Sequence, residues 1–239
     1  MTNSGIIGYG NWGNKLYKKL THLSKVKFVC NSRDNYKLNL NKVDWVFVAT
    51  PNNTHFKIVS ECLKKKKNVF CEKPLTLNYK SSKKLFKLAK KFNSKLYVDD
   101  IEIYKNKKIE LIKGINTVTR GKNGTGSAKE LLYKLVYHDL YLLYGSLKRH
   151  KLLKIEKLKT KKKLSFILKY KKFSLKFLYD ISAKNSYHKI NGSNFLIFKN
   201  DPLKKMIKKV LNNKVNYKNN EQISLFSNYM IDKIKNAIF

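Results

Sequence analysis

The chain has 239 residues, with 53 Lys+Arg against 15 Asp+Glu and a formal net charge of +38. A hydrophobic fraction of 42% and an aromatic fraction of 13% supply ample core material, so disorder is excluded for most of the chain. Only Arg33, Arg120 and Arg149 are arginines, and the lysines are spread along the chain rather than gathered in one arm. That is how solvated surface is filled and not how phosphate backbones are gripped, so no nucleic-acid partner is expected. Cys30, Cys62 and Cys71 lie inside apolar runs without CxxC spacing and are expected to be buried free thiols, with no metal site. No apolar run approaches the roughly 18 to 20 residues that span a bilayer, and no secretory leader opens the chain. A soluble cytoplasmic protein without a membrane partner is expected.

The first hundred residues alternate between two periods. Residues 4–9 (SGIIGY) read as a short strand, and Trp12, Leu16 and Leu20 then recur at helical spacing. Residues 26–30 (VKFVC) are strand-like, and 43–50 (VDWVFVAT) form the continuous apolar run of a strand buried on both faces of a parallel sheet. His55, Ile58, Val59, Cys62 and Leu63 fall on one helix face, which ends in a lysine run suited to the negative end of a helix dipole. A strand at 68–72, a helix through Leu85, Leu88, Ala89 and Phe92, and a strand at 95–98 complete a doubly wound parallel α/β sheet. Past residue 100 come a Gly/Asn-rich stretch at 120–127, a helix over 128–147 and strands near 152–159, 164–170, 173–181 and 186–198. Helical spacing returns from Pro202. The order predicts a Rossmann domain over 1–100 and a smaller α+β domain with a mainly antiparallel sheet over 101–239.

Gly8, Tyr9, Gly10, Asn11, Trp12 and Gly13 form a GxGxxG turn between the first strand and the first helix. The glycines permit a tight turn and close approach of a pyrophosphate to the helix N-terminus, where free amides favour negative charge. Where an acid about 20 residues on would bind the ribose hydroxyls of NAD, Asn31, Ser32 and Arg33 stand instead. A hydroxyl and a guanidinium suit a 2′-phosphate, so NADP is expected in preference to NAD.

Three further pieces follow in order: residues 46–55 (VFVATPNNTH), Glu72-Lys73-Pro74, and residues 137–140 (YHDL). With the glycine turn they resemble the glucose-fructose oxidoreductase/inositol dehydrogenase/MocA family, usually written Gfo/Idh/MocA. The likeness extends to residues 190–193 (INGS) and the final helical region. The resemblance implies an N-terminal NAD(P)-binding Rossmann domain and hydride transfer at a hydroxyl- or keto-bearing carbon of a sugar, cyclitol or nucleotide sugar. It implies that Thr50, Pro51, Asn52 and His55 line the nicotinamide side and that Glu72, Lys73 and Pro74 form the EKP signature. By the same likeness Lys73 and His138 carry the proton chemistry, and sheet faces of the second domain form a homodimer or homotetramer.

The departures are equally specific. Lys134 stands where the family often has an Asp one turn before the histidine, Tyr141 where another Asp is common, and the second domain is shorter than usual. Lys134, His138 and Tyr141, at i, i+4 and i+7, are expected to share one helix face. Asp99 and Asp100 are candidates to supply the lost carboxylate, and Arg120 joins Lys134 and Tyr141 as a candidate for the substrate site. Retained EKP and His138 favour an oxidoreductase; the departures favour a non-catalytic dinucleotide binder with a sensing or scaffold role. A cis Lys73–Pro74 bond is expected, since X-Pro bonds alone populate cis appreciably and do so in tight turns.

Overall fold

The computed structural model describes residues 1–31, 34–105, 109–124, 126–158, 163–196 and 200–239. The chain divides into two compact units, the first made of residues 1–104 and 201–228, the second of 105–200 and 229–239.

In the first unit β1 (Asn3–Ile7), α1 (Asn11–Leu20), β2 (Lys25–Cys30), β3 (Trp45–Val48), α2 (His55–Lys64), β4 (Asn68–Cys71), α3 (Tyr79–Lys91) and β5 (Leu96–Val98) alternate as expected. The strands form one sheet in the order β2-β1-β3-β4-β5, parallel throughout. Every residue of β3 is buried, because the sheet is covered on both faces. Strand alternation sorts the side chains. Val46, Val48, Val69, Cys71 and Val98 meet Ile58, Val59 and Cys62 of α2 and Leu85 of α3. On the other face Trp45, Phe47, Phe70 and Tyr97 meet Leu16 and Leu20 of α1. Phe47, Phe70 and Tyr97 stack across three strands at centroid separations of 5.0 and 6.0 Å.

That second face is completed by residues expected from the sequence to belong to the second domain. α6 (Pro202–Leu211) presents Leu203, Met206, Ile207, Val210 and Leu211 to it. Helical period alone identifies the apolar stripe but not the sheet it covers, so the chain order misassigned 201–228.

In the second unit β6 (Gly114–Asn123), β7 (Leu152–Lys157), β8 (Leu164–Tyr170), β9 (Phe173–Asp180), β10 (Ser182–Ile190) and β11 (Ser193–Asn194) form a six-stranded sheet ordered β11-β10-β6-β9-β8-β7. It is antiparallel except between β6 and β9. The Gly/Asn-rich stretch at 120–127 is partly strand: Arg120 and Gly121 lie within β6, between β10 and β9. Asn191 and Gly192, both at positive φ, make the tight turn between β10 and β11. The expected strand continuations at 159 and at Ile197 and Phe198 fall outside the described residues. The helix expected over 128–147 is present with a change of pitch: α4 (Ala128–Leu131) passes into a π-helical turn (Leu132–Val136) and then α5 (Tyr137–Leu147). α7 (Tyr217–Ile238) contributes residues to both units.

α5 is pinned to its sheet by a buried charge network. Asp139, fully buried, accepts from Tyr179 Oη of β9 at 2.7 Å and from Arg120 Nη1 of β6 at 3.2 Å, and His188 Nε2 of β10 lies 2.7 Å away. Burial pushes the Asp139 carboxyl up, but Arg120, His188 and Tyr179 outweigh it and hold it below the usual carboxylate range.

Two consequences are measurable. Trp12 and Trp45 both belong to the first unit, so tryptophan fluorescence reports that unit, and Met206→Ala should lower its unfolding free energy in urea by about 2 to 5 kcal/mol. An unchanged transition would mean that α6 does not complete this core. A carboxyl depressed in the folded state stabilises above the unfolded value near 3.9 and loses that contribution as pH falls through the folded value. Asp139→Asn should therefore cost about 3 to 5 kcal/mol at pH 7, with the gap to wild type narrowing below about pH 4. Amide hydrogen exchange along β9 and β10 reads it, and a gap independent of pH would mean that Asp139 carries no charge.

Candidate functional site

The three glycines of the turn after β1 meet three different constraints. Gly8 has φ +99°, and a Cβ there would stand 2.5 Å from Ala49 O; a Cβ on Gly13 would stand 1.9 Å from Gly8 O. These two are held by the turn and by helix-to-strand packing. Gly10 meets nothing within 4 Å. It is the N-cap of α1, makes no side-chain cap, and no acid follows in the first turn. The helix thus opens with bare amides on an uncovered face, which is what a pyrophosphate requires. The residues present fit a dinucleotide. Tyr9 and Asn11 are exposed, and Trp12 is half-buried against the core with Lys15 Nζ 5.1 Å from its ring.

At the end of β2 Ser32 and Arg33 lie outside the described residues. Asn31 N donates to Asp34 Oδ2 at 2.6 Å, so a carboxylate that motif spacing does not find also stands at this strand end. It sits three residues past Asn31, off the position at which a ribose-binding acid is sought.

The loop after β3 is braced from within. Thr54 Oγ1 donates to Pro51 O at 2.7 Å and shares a second hydrogen bond, also 2.7 Å, with Thr50 Oγ1. His55, fully buried, sets Nε2 2.8 Å from Thr50 O and Nδ1 2.9 Å from Pro74 O. Burial holds its ring below the usual histidine range against the opposing pull of the Pro74, Thr50 and Leu75 carbonyls. His55 is thus a clamp between the loops after β3 and β4 rather than a group on their surface. Its place on the buried face of α2 is legible from helical spacing; its two carbonyl partners, one 19 residues on, are not.

Glu72, Lys73 and Pro74 follow β4, with the Lys73–Pro74 bond cis. Thr50, Glu72 and Asp99 are buried at the carboxyl ends of β3, β4 and β5, the edge where open α/β sheets bind ligands. Pro51 and Asn52 occupy the same loop as Thr50, exposed and half-buried respectively. Asp99 is hydrogen-bonded to the Glu72 side chain. Asp100 faces elsewhere, accepting from Tyr97 Oη and, at 3.2 Å, from Asn220 Nδ2 of α7. Asn220 also pairs with Val98, accepting from its N at 2.9 Å and donating to its O at 2.8 Å, so Asp100 joins β5 to α7.

In the second unit His138 is half-buried at the second position of α5. Lys134 lies in the π turn, exposed, and donates to Glu130 Oε2 at 3.0 Å. Tyr141 is buried, its ring 6.2 Å from that of Tyr137. Arg120 belongs to the buried network of Asp139. The signal for that network was an acid set in the apolar run YHDLYLL, where a charge needs a partner. Among the described residues no group of His, Cys, Asp and Glu could hold a metal ion, and no helix is long and apolar enough to cross a membrane. Cys30, Cys62 and Cys71 are buried and free.

Residues 25–100 match the family model described as Oxidoreductase family, NAD-binding Rossmann fold, the Gfo/Idh/MocA model. The chain is 32% identical over 108 residues to 2,7-anhydro-N-acetylneuraminate hydratase of Escherichia coli (strain K12), covering 38% of this chain and 29% of that protein. It is 47% identical over 49 residues to myo-inositol 2-dehydrogenase of Thermotoga maritima, covering 20% of this chain and 15% of that one. These matches span under a third of the curated relatives' length. In fold the chain is similar to UDP-N-acetylglucosamine 3-dehydrogenase GnnA from Acidithiobacillus ferrooxidans, with a TM-score of 0.82 at 15% identity over 99% of this chain and 97% of that one. It is also similar to the WlbA (WbpB) dehydrogenase from Thermus thermophilus in complex with NAD and UDP-GlcNAcA, with a TM-score of 0.75 at 15% identity over 97% and 95% of the two chains. Over residues 25–100, and in the glycine turn and parallel sheet of the first unit, the chain is thus similar to the NAD-binding Rossmann domain of the Gfo/Idh/MocA oxidoreductases.

Proposed function

We propose that the protein moves a hydride between NADP and a hydroxyl- or keto-bearing carbon of a sugar, cyclitol or nucleotide sugar. The observation that carries this reading is the edge of the first unit's sheet. There an uncapped helix N-terminus, with Gly10 open, and the loops after β3 and β4 all follow carboxyl ends of parallel strands. The nicotinamide ring supplies the hydride chemistry when bound. The chain's own part is binding and proton movement. The amides of Gly10 to Gly13 hold the pyrophosphate; Thr50, Pro51 and Asn52, braced by His55, flank the nicotinamide side. The Lys73 ammonium gives a proton to the substrate oxygen as a ketone is reduced, or its amine takes one as an alcohol is oxidised. His138 is the second proton-transfer residue. The nucleotide-sugar class is favoured by two fold relatives, a UDP-N-acetylglucosamine 3-dehydrogenase and a dehydrogenase in complex with NAD and UDP-GlcNAcA.

The experiment is NADPH oxidation followed by absorbance against a panel of keto-sugars and nucleotide-linked keto-sugars. Lys73→Ala should lower kcat by about 10²- to 10⁴-fold while NADPH still binds. Binding of NADPH with no turnover of any substrate, and no property changed by Lys73→Ala, would establish a non-catalytic binder instead.

The cofactor preference turns on charge at the end of β2. Asn31 is neutral where a carboxylate would repel a 2′-phosphate, and Arg33 adds a positive charge. A charge-assisted contact of about 1.5 to 3 kcal/mol gives NADPH about a tenfold to hundredfold advantage over NADH. Arg33→Asp should reverse the order and Asp34→Asn should widen it, read by titrating cofactor fluorescence. Equal wild-type affinities would overturn the preference.

A further inference from the structure

Two carboxyl groups meet at the end of the sheet, and only one of them belongs to the Glu72-Lys73-Pro74 signature. β4 and β5 pair in parallel with Cys71 beside Val98. The next residues along, Glu72 and Asp99, are therefore neighbours on adjacent strands about 4.8 Å apart and point to the same face. Both backbones are held there: Glu72 N donates to Val48 O at 2.9 Å, and Asp99 N donates to Cys71 O at 2.9 Å. Glu72 is 9% exposed and Asp99 3%.

Their side chains are hydrogen-bonded to one another. Ionised carboxylates are acceptors only, so this contact requires a proton between them. The remaining oxygens say which group holds it. Asp99 Oδ1 accepts from Ile101 N at 2.8 Å, as an anion needs. Glu72 Oε1 is buried with no hydrogen-bond partner, a position tolerable for the carbonyl oxygen of a neutral acid but costly for a charged one. Burial and Asp99 push Glu72 well above the usual carboxylate range, against the pull of Lys73; burial raises Asp99 too, opposed by its hydrogen bonds from Glu72 and Ile101 N and by Lys73. The other charged groups acting on the pair are Lys73, which favours ionisation, and Glu102, which opposes it at Asp99. Cys71 beside them is held as a neutral thiol by burial and by the same two acids.

We propose that Glu72 is a neutral acid donating its proton to an ionised Asp99, and that this pair forms one buried negative charge beside Lys73, making Asp99 a positioning residue for the Lys73 ammonium. The inference rests on the reading of Lys73 as the proton-transfer residue, but its test does not. The charge balance is simple: Lys73 positive, the pair singly negative, the sum neutral.

The test uses the full chain without cofactor. The infrared difference spectrum of wild type minus Glu72→Gln at pH 7 should contain the carbonyl stretch of one protonated carboxyl group. Competitive acetylation of surface and site lysines across pH, read at the Lys73 peptide by mass spectrometry, should give the same midpoint for wild type, Glu72→Gln and Asp99→Asn, since each keeps one negative charge. In the double variant Glu72→Gln/Asp99→Asn the charge is gone and the Lys73 midpoint should fall by about one pH unit, or about tenfold faster labelling below the midpoint. These isosteric changes preserve the fold, checked by circular dichroism and NADPH binding. No protonated carboxyl in wild type, or Lys73 labelled in the double variant as in wild type, would overturn the proposal. If the band and the shift appear but no substrate is turned over, the catalytic reading fails and the pair stands. If turnover needs Lys73 but the band is absent, the pair alone fails.

Discussion

The difficulty of burying a carboxylate organises both units. In a chain with only 15 acidic residues, five of those described, Glu72, Asp99, Asp100, Glu102 and Asp139, are buried. Acids that could have offset the +38 charge at the surface are instead committed to the interior. An uncompensated buried carboxylate is unfavourable by several kcal/mol, so each must carry its own solution. Asp139 has a guanidinium and a phenol. Asp100 has a phenol and an amide. Glu72 and Asp99 have each other. Remove the partners and the strands and helices that meet at these points lose the reason for meeting there.

The same logic separates scaffold from site. The glycine turn is strained only where it must be: Gly8 and Gly13 are enclosed by backbone, whereas Gly10 is open. The loops after β3 and β4 are irregular, and irregular backbone holds its shape only if its polar groups are satisfied. His55, fully buried, sets a ring nitrogen against one carbonyl of each loop and gives its N–H to one of the two. The exposed edge can then present functional groups without being rebuilt by each ligand, which is the condition for a preformed site.

The parallel sheet, its order of strand and helix, and the glycine turn were legible because they rest on local period and on residues whose geometry is unusual. β3 is a case in point: a short apolar run rich in valine and aromatic residues, all four of its residues buried, fits a strand covered on both sides. What escaped were the partners. Period identified the apolar stripe of α6 but not that it faces Phe47 and Phe70. Arg120 and Gly121 fell in a Gly/Asn-rich stretch, yet both lie in a strand paired on both sides, where a Cβ on Gly121 would stand 2.1 Å from the Tyr187 ring. Arg120, a candidate for substrate, is engaged 19 residues along the chain by Asp139, a distance no spacing rule covers. The dipeptide Asn191-Gly192, by contrast, announces its turn, because both residues tolerate positive φ.

The departures from the family pattern take on a different meaning once the helix carrying His138 is seen. Lys134 stands in place of an acid, but it lies at the surface paired with Glu130. The acid absent from position 134 leaves no buried positive charge behind it there. Within the first unit two acids, Glu72 and Asp99, stand at the sheet end that Lys73 follows. Asp139, adjacent in sequence to His138, is directed into the sheet, so the two neighbours divide the labour of α5: one fixes the helix and the other is left half-exposed. A helix that must hold one side chain still while exposing it needs an anchor on another face, and a buried carboxylate held from β6, β9 and β10 is a directional one.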